Sequence, residues 1–143
     1  MIRALPGVQV DWAGEYVFLG DDGLGHSIVF DSSHTGPAKG MSPMKALLAC
    51  LAACSGMDVV AILGKRKQSL TSLRIQVHGT QPEHGCPKPY TSISLKYILT
   101  GESLDARCVE EAVRDSMEKF CSVAATITGG TTKIDHTYEI VNG

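Results

Sequence analysis

Five cysteines, Cys50, Cys54, Cys86, Cys108 and Cys121, carry the most open chemistry in this 143-residue chain. An odd count argues against a closed disulfide framework, and no CxxC pair occurs. A thiolate can attack a peroxide or a disulfide, whereas a protonated buried thiol packs as a small hydrophobe. Cys50 and Cys54 stand one helical turn apart, so on a helix they share a face. That spacing suits a vicinal dithiol, half of a metal site or plain packing, and no His, Asp or Glu at helical spacing completes a tetrahedral set. His84-Gly85-Cys86 lies among prolines and glycines, where a metal half-site, a reactive thiol and a solvated loop all fit. Cys108 reads as core. His136 reads as a hydrogen-bonded core residue with a catalytic alternative, and His26 as a hairpin residue that could approach a cysteine site. Asp58, one turn after Cys54, and Glu118, just before Cys121, can orient a partner or cap a polar network; a carboxylate beside a thiol disfavours the thiolate.

The elements that must position these groups can be read from periodicity. Val8, Val10 and Trp12 alternate with Gln9 and Asp11, and the runs Glu15–Leu19 and His26–Phe30 flank a Gly/Asp-rich turn. This predicts three N-terminal strands with a hairpin. Residues 31–41 read as loop. Ser42-Pro43 then predicts a helix start, because serine caps well and proline has no N–H to leave unpaired. From Met44 to about Lys65 the pattern is apolar nearly all round, which predicts a buried helix of about 30 Å. Its small residues, from Ala46 to Gly56, let a sheet or a second helix come close. One domain of this size has trouble covering such a helix, so a homodimer is expected. Two strands centred on Leu73–Val77 and Ile93–Leu99 follow, then a helix from about Ser103 to Phe120, a short turn or helix at 121–125, a Gly129-Gly130 break and a last strand over 133–140. The order βββ-α-ββ-α-β predicts one α+β domain with mainly antiparallel pairing.

Composition narrows the function. The chain is 43% hydrophobic and 20% charged with a formal net charge of −2, and its only basic run is Lys65-Arg66-Lys67. Its few aromatic residues form no base-stacking cluster. Neither a nucleic acid nor an anionic membrane is expected as partner. Met1–Pro6 lacks the apolar stretch of a leader. The longest apolar run, Ala46 to Cys54, is far shorter than the ~20 residues of a membrane span. The expected location is the cytoplasm, where thiols stay reduced.

Four segments resemble the OsmC/Ohr family. Ser42-Pro43 with Leu47-Leu48-Ala49 and Ala53-Cys54 is similar to the family's first-cysteine helix. Lys119-Phe120-Cys121-Ser122-Val123 is similar to its second-cysteine motif. Met57-Asp58-Val59-Val60 and His136-Thr137-Tyr138-Glu139 resemble the YhfA-like branch. The resemblance spans Trp12 to Val141. It implies an OsmC-like fold, in which antiparallel sheets wrap two long central helices of an intertwined homodimer and the N-terminal β region, residues 1–41, is completed by dimerisation. It also implies an oxidative-stress peroxidase: Cys54 attacks an organic hydroperoxide, Cys121 resolves it as a disulfide, a dithiol reductant resets the pair, and no cofactor or metal is needed. The resemblance departs from the peroxidase branches at two points. Their glutamate after the helix-opening proline is Met44 here, and no arginine lies between Trp12 and Lys39. The two cysteines carry over; the Arg–Glu pair does not. A non-catalytic protein binding a small hydrophobic ligand in an apolar interface pocket is the alternative. A cysteine hydrolase would need a base and an oxyanion hole near Cys54, which no spacing announces.

Overall fold

The computed structural model describes residues 7–130 and 133–142, so the reading of Met1–Pro6 lies outside the described residues. The chain divides into two compact units, Met1–Leu47 and Leu48–Gly143.

In the first unit, β1 (Gln9–Trp12), β2 (Phe18–Asp21) and β3 (Ser27–Phe30) form an antiparallel sheet in chain order. The expected strand over Glu15–Leu19 begins only at Phe18. Gly14 and Glu15 adopt left-handed φ angles of 99° and 49°, and Val17 N–H donates to Gly14 O at 2.9 Å, so the chain reverses there instead of extending. Two aspartates build the β2–β3 turn: Asp21 Oδ1 accepts from Gly23 N–H at 2.6 Å, and Asp22 Oδ1 from Leu24 N–H at 2.8 Å. Asp31 organises the following loop. Its carboxylate accepts from the backbone N–H of Lys39 at 2.7 Å and of Ser32 at 2.6 Å. The Lys39 N–H holds this carboxyl below its ordinary range. The sheet leaves Val8, Trp12 and Leu24 at 69%, 68% and 77% exposure, far more apolar surface than a self-sufficient layer shows.

The long helix α1 (Pro43–Lys65) starts at the predicted proline. The second unit continues with β4 (Ser69–Thr80), β5 (Ser92–Glu102), α2 (Ala106–Asp115), a π turn at Ser116–Phe120, α3 (Ser122–Thr128) and β6 (Lys133–Asn142). The sheet order is β4-β5-β6. Along β5, Ile93, Leu95, Tyr97 and Leu99 are fully buried, and their neighbours Ser94 and Lys96 are exposed. That two-residue period gives the sheet one dry face and one wet face. Leu51, Val59 and Leu63 of α1 and Val109, Ala112 and Val113 of α2 join the same core. Each of these leucine and valine side chains contributes about 1.5–3 kcal/mol by leaving water. Gly56 sets the approach of α1 to the sheet, since a Cβ there would meet Ile75 Cδ1 at 3.1 Å. Asp105 starts α2 by accepting from the N–H groups of Arg107 and Cys108 at 2.8 and 3.1 Å.

Three expectations change. β6 pairs with β5 in parallel, with Leu95 opposite His136 and Tyr97 opposite Tyr138, because the α2–α3 segment carries the chain back along the sheet. The helix expected over Ser103–Phe120 begins after Asp105 and ends in a π turn. Finally, α1 is covered on one face only. Leu47, Cys50, Ala53, Met57, Val60, Ala61 and Gly64 form an exposed stripe with near-heptad spacing, and Met57 is 72% exposed. Among the described residues α1 is the one long helix. It is also long and apolar enough to cross a membrane, with an 18-residue mean hydropathy of 2.2, which the Ala46–Cys54 run alone had understated. Its buried Ser55 and half-buried Asp58 instead join a polar network that reaches into the protein core.

Candidate active site: a thiol pair beside a chain of hydroxyls

Cys54 and Cys121 arrive from distant segments. Cys54 lies mid-way along α1, half-buried between exposed Ala53 and fully buried Ser55. Cys121 stands where the π turn ends: its φ of −69° and ψ of 103° take the chain out of one helix and into the next. It is 3% exposed. Its N–H donates to Ser116 O at 2.8 Å, and its Sγ accepts from Ala124 N–H at 3.4 Å, so the thiol caps α3 in the way a serine would. Both sulfurs are free, and they lie against each other in the core cluster.

The two thiols differ in burial, and the environment of Cys121 disfavours its thiolate. Burial pushes Cys121 up to about 11, and the neighbouring Cys54 pushes the same way. The N–H groups of Ala124 and Val123 oppose this without prevailing, although a helix N-terminus by itself favours a thiolate. Cys121 is therefore protonated at neutral pH, in a fold where Cys54 is the more accessible sulfur.

Next to the pair runs a chain of buried polar groups. Tyr97 OH and Ser55 Oγ are 2.5 Å apart, Ser55 Oγ and Ser116 Oγ 2.9 Å, and Ser116 Oγ donates to Asp58 Oδ2 at 3.0 Å. Tyr97, Ser55 and Ser116 are fully buried. Burial pushes the Tyr97 phenol up to about 12. Buried hydroxyls are costly unless bonded, and here each one is. The sequence had offered Asp58 as a network cap. It gave no sign of Ser55, Tyr97 or Ser116, because their partners lie 42 and 61 residues away in the chain.

The other candidates do not converge on this site. Cys50 is exposed on the open stripe of α1, and Cys86 is exposed in its loop. Cys108 is half-buried beside Arg66, whose guanidinium is held by Glu111. His26 Nδ1 pairs with Asp22 at 2.7 Å in the hairpin turn, and that contact lowers the Asp22 carboxyl. His136 is half-buried and lines a surface groove with Glu110, Arg114 and Glu118. No group of three or more metal-ligating side chains exists among the described residues.

Known proteins resemble this chain in sequence and fold. A family model described as OsmC-like protein matches residues 36–137, a stretch that includes both cysteines. Protein YhfA of Escherichia coli is 35% identical over 133 residues, covering 93% of this chain and 96% of YhfA. The crystal structure of a hypothetical protein from Aquifex aeolicus is 30% identical, with a TM-score of 0.86 and 99% of each chain covered. An organic hydroperoxide resistance protein OsmC from Legionella pneumophila shares the fold at 20% identity and a TM-score of 0.68, covering 96% of this chain and 99% of its own. The match spans the long helix, the second-cysteine turn and both sheets, and on that ground this chain belongs to the OsmC-like protein family.

Proposed function

We propose that the protein is a thiol-dependent reductase of organic hydroperoxides, acting in the response to oxidative stress. The observation that carries this reading is the thiol pair itself: a half-buried Cys54 beside a buried Cys121. In the first step the Cys54 thiolate attacks the peroxide. An S–O bond forms, the O–O bond breaks, and the alkoxide takes up a proton and leaves as an alcohol. Cys54 is then a sulfenic acid. In the second step the Cys121 sulfur attacks the Cys54 sulfur. The S–S bond forms, the S–O bond breaks, and hydroxide departs as water with the proton that Cys121 gives up. A dithiol reductant returns the disulfide to two thiols by exchange. The order of events follows exposure: half-buried Cys54 is open to the oxidant, and buried Cys121 is held back for the second step.

A largely apolar substrate is favoured by a cavity of about 400 Å³ in the N-terminal unit, lined by Val10, Tyr16, Phe18, Phe30 and Pro43 with Asp31 and Ser32 as its polar residues. A homodimer is favoured by the open apolar stripe of α1 and the exposed apolar residues of the first sheet, which a second copy would cover. The name of the Legionella protein agrees with the substrate class. A pair that must be reset by a dithiol needs a reducing compartment, and we assign the protein to the cytoplasm on that ground.

A second reading, a non-catalytic binder of small hydrophobic molecules, has its own support. Met44 brings no charge where the peroxidase-type relatives carry glutamate. In addition, Ser32 Oγ at the same cavity is buried without a hydrogen-bond partner among the described residues, which suits a ligand with one polar head. One experiment separates the two. The reduced protein receives one equivalent of cumene hydroperoxide or hydrogen peroxide, is quenched within seconds, and its cysteine products are mapped by mass spectrometry. The reductase reading expects a Cys54–Cys121 disulfide, formed faster with the organic peroxide. Unmodified thiols in a protein that still binds the alcohol would sink it and leave the binder.

A further inference from the structure

We infer that the buried chain Tyr97–Ser55–Ser116–Asp58 is a positioning device for the resolving step, holding the Cys121 turn in register with the Cys54 turn. The inference rests on the two-cysteine reading above and adds residues that the reading does not use.

An ionised carboxylate only accepts hydrogen bonds, so Ser116 must donate to Asp58 Oδ2. With its one proton committed there, Ser116 Oγ accepts from Ser55 at 2.9 Å, and Ser55 Oγ in turn accepts from Tyr97. Ser116 Oγ also lies 3.3 Å from Ser55 O, but the shorter, charge-assisted bond to Asp58 is the stronger competitor for the proton. The charge of Asp58 thus sets a single direction for the whole chain, and each hydroxyl has one orientation. A chain of this kind polarises along its length and holds its members more firmly than isolated pairs do.

Each link joins an element that carries a cysteine. Ser55 directly follows Cys54 on α1. Ser116 opens the π turn, and its carbonyl accepts the Cys121 N–H at 2.8 Å, so the residue that grips Ser55 through its side chain grips Cys121 through its backbone. Tyr97 ties Ser55 to the central strand β5. The π turn is where the α2 ladder loosens, and an unanchored turn there would let Cys121 drift. Disulfide formation tolerates little drift, because the geometry of the bridge is narrow. Attack on the peroxide involves Cys54 alone and makes no such demand.

The reading therefore predicts a split between the two steps. In Ser116→Ala the turn loses its grip on both Ser55 and Asp58. Sulfenic acid on Cys54, trapped by dimedone after cumene hydroperoxide, should form at the wild-type rate, while the Cys54–Cys121 disulfide forms at least tenfold more slowly. In a glutathione redox buffer the same variant should shift about tenfold toward the dithiol. Asp58→Asn, at a half-exposed position that tolerates change, keeps the side-chain shape and removes the charge that orients the chain; it should show the same split to a smaller degree. Tyr97→Phe leaves the Ser55–Ser116–Asp58 segment in place and should slow resolution only two- to threefold. A wild-type protein that forms neither sulfenic acid nor disulfide overturns the redox reading itself. A reactive wild type, with Ser116→Ala and Asp58→Asn resolving as fast as it does, overturns this inference alone. Should Ser116→Ala fail to fold, Asp58→Asn decides the matter.

Discussion

Raising the pH should unfold this protein through two identified side chains. The Cys121 thiol is shifted from 9.0 to about 11, and the Tyr97 phenol from 10.0 to about 12, both chiefly by burial. An acid whose pKa is higher in the folded state keeps its proton there after the unfolded chain has lost it. Below pH 9 the two states bind these protons equally, and nothing is lost. Between pH 9 and 11 the unfolded chain releases the Cys121 proton while the fold retains it, and stability falls with the slope set by that difference. At about 1.4 kcal/mol per pKa unit, the thiol costs roughly 2–3 kcal/mol by pH 11. Tyr97 adds a similar loss between pH 10 and 12. Together they are comparable to the net stability of a small domain, about 5–15 kcal/mol. Urea unfolding under reductant at pH 8, 9, 10 and 11 measures the effect. Cys121→Ser should abolish the component that begins at pH 9 and levels off near pH 11, and Tyr97→Phe the component that begins at pH 10. Should Cys121→Ser lose stability with the same slope as the wild type, the placement of this thiol in a dry, uncompensated environment is wrong.

Three further outcomes are expected. Gly56→Ala should stay within about 1 kcal/mol of the wild type, since its Cβ meets only the tip of Ile75 at 3.1 Å, while Gly56→Val should lose about 1–3 kcal/mol in urea unfolding by forcing α1 off β4. Met57→Asp, in the middle of the exposed stripe, should abolish self-association in analytical ultracentrifugation without altering the far-UV circular dichroism. Asp105→Ala removes two capping bonds from α2 and should cost about 1 kcal/mol in the same urea assay.

Much of the fold was legible because it rests on local signals. Ser42-Pro43 marked the start of α1 to the residue, and the period-two runs located the strands, although β4 and β5 extend beyond their apolar centres to 12 and 11 residues. Strand direction was not legible: alternation in Ile134, His136, Tyr138 and Ile140 is the same whether β6 runs parallel or antiparallel to β5. The break of α2 into a π turn carried no glycine or proline to announce it; it follows from tertiary contacts of Ser116. The two cysteines stood out only through family resemblance, since spacing alone allowed plain packing for either. Tyr97 looked like one more apolar residue on an alternating strand. Only the partners that Ser55 and Ser116 bring from far along the chain show it to be part of a polar site.

The parallel pairing of β5 and β6 also orders the assembly of the molecule. An antiparallel hairpin such as β4–β5 closes through a local loop, but β6 can dock only after α2, the π turn and α3 have carried the chain back along the sheet. Such distant pairings are slow, because their loop must be closed before any contact is gained. Cys121 rides on that returning segment. Its approach to Cys54 is likewise a non-local contact, made across the whole β4–β5 hairpin, and it shares with β6 the slow closure of a long loop.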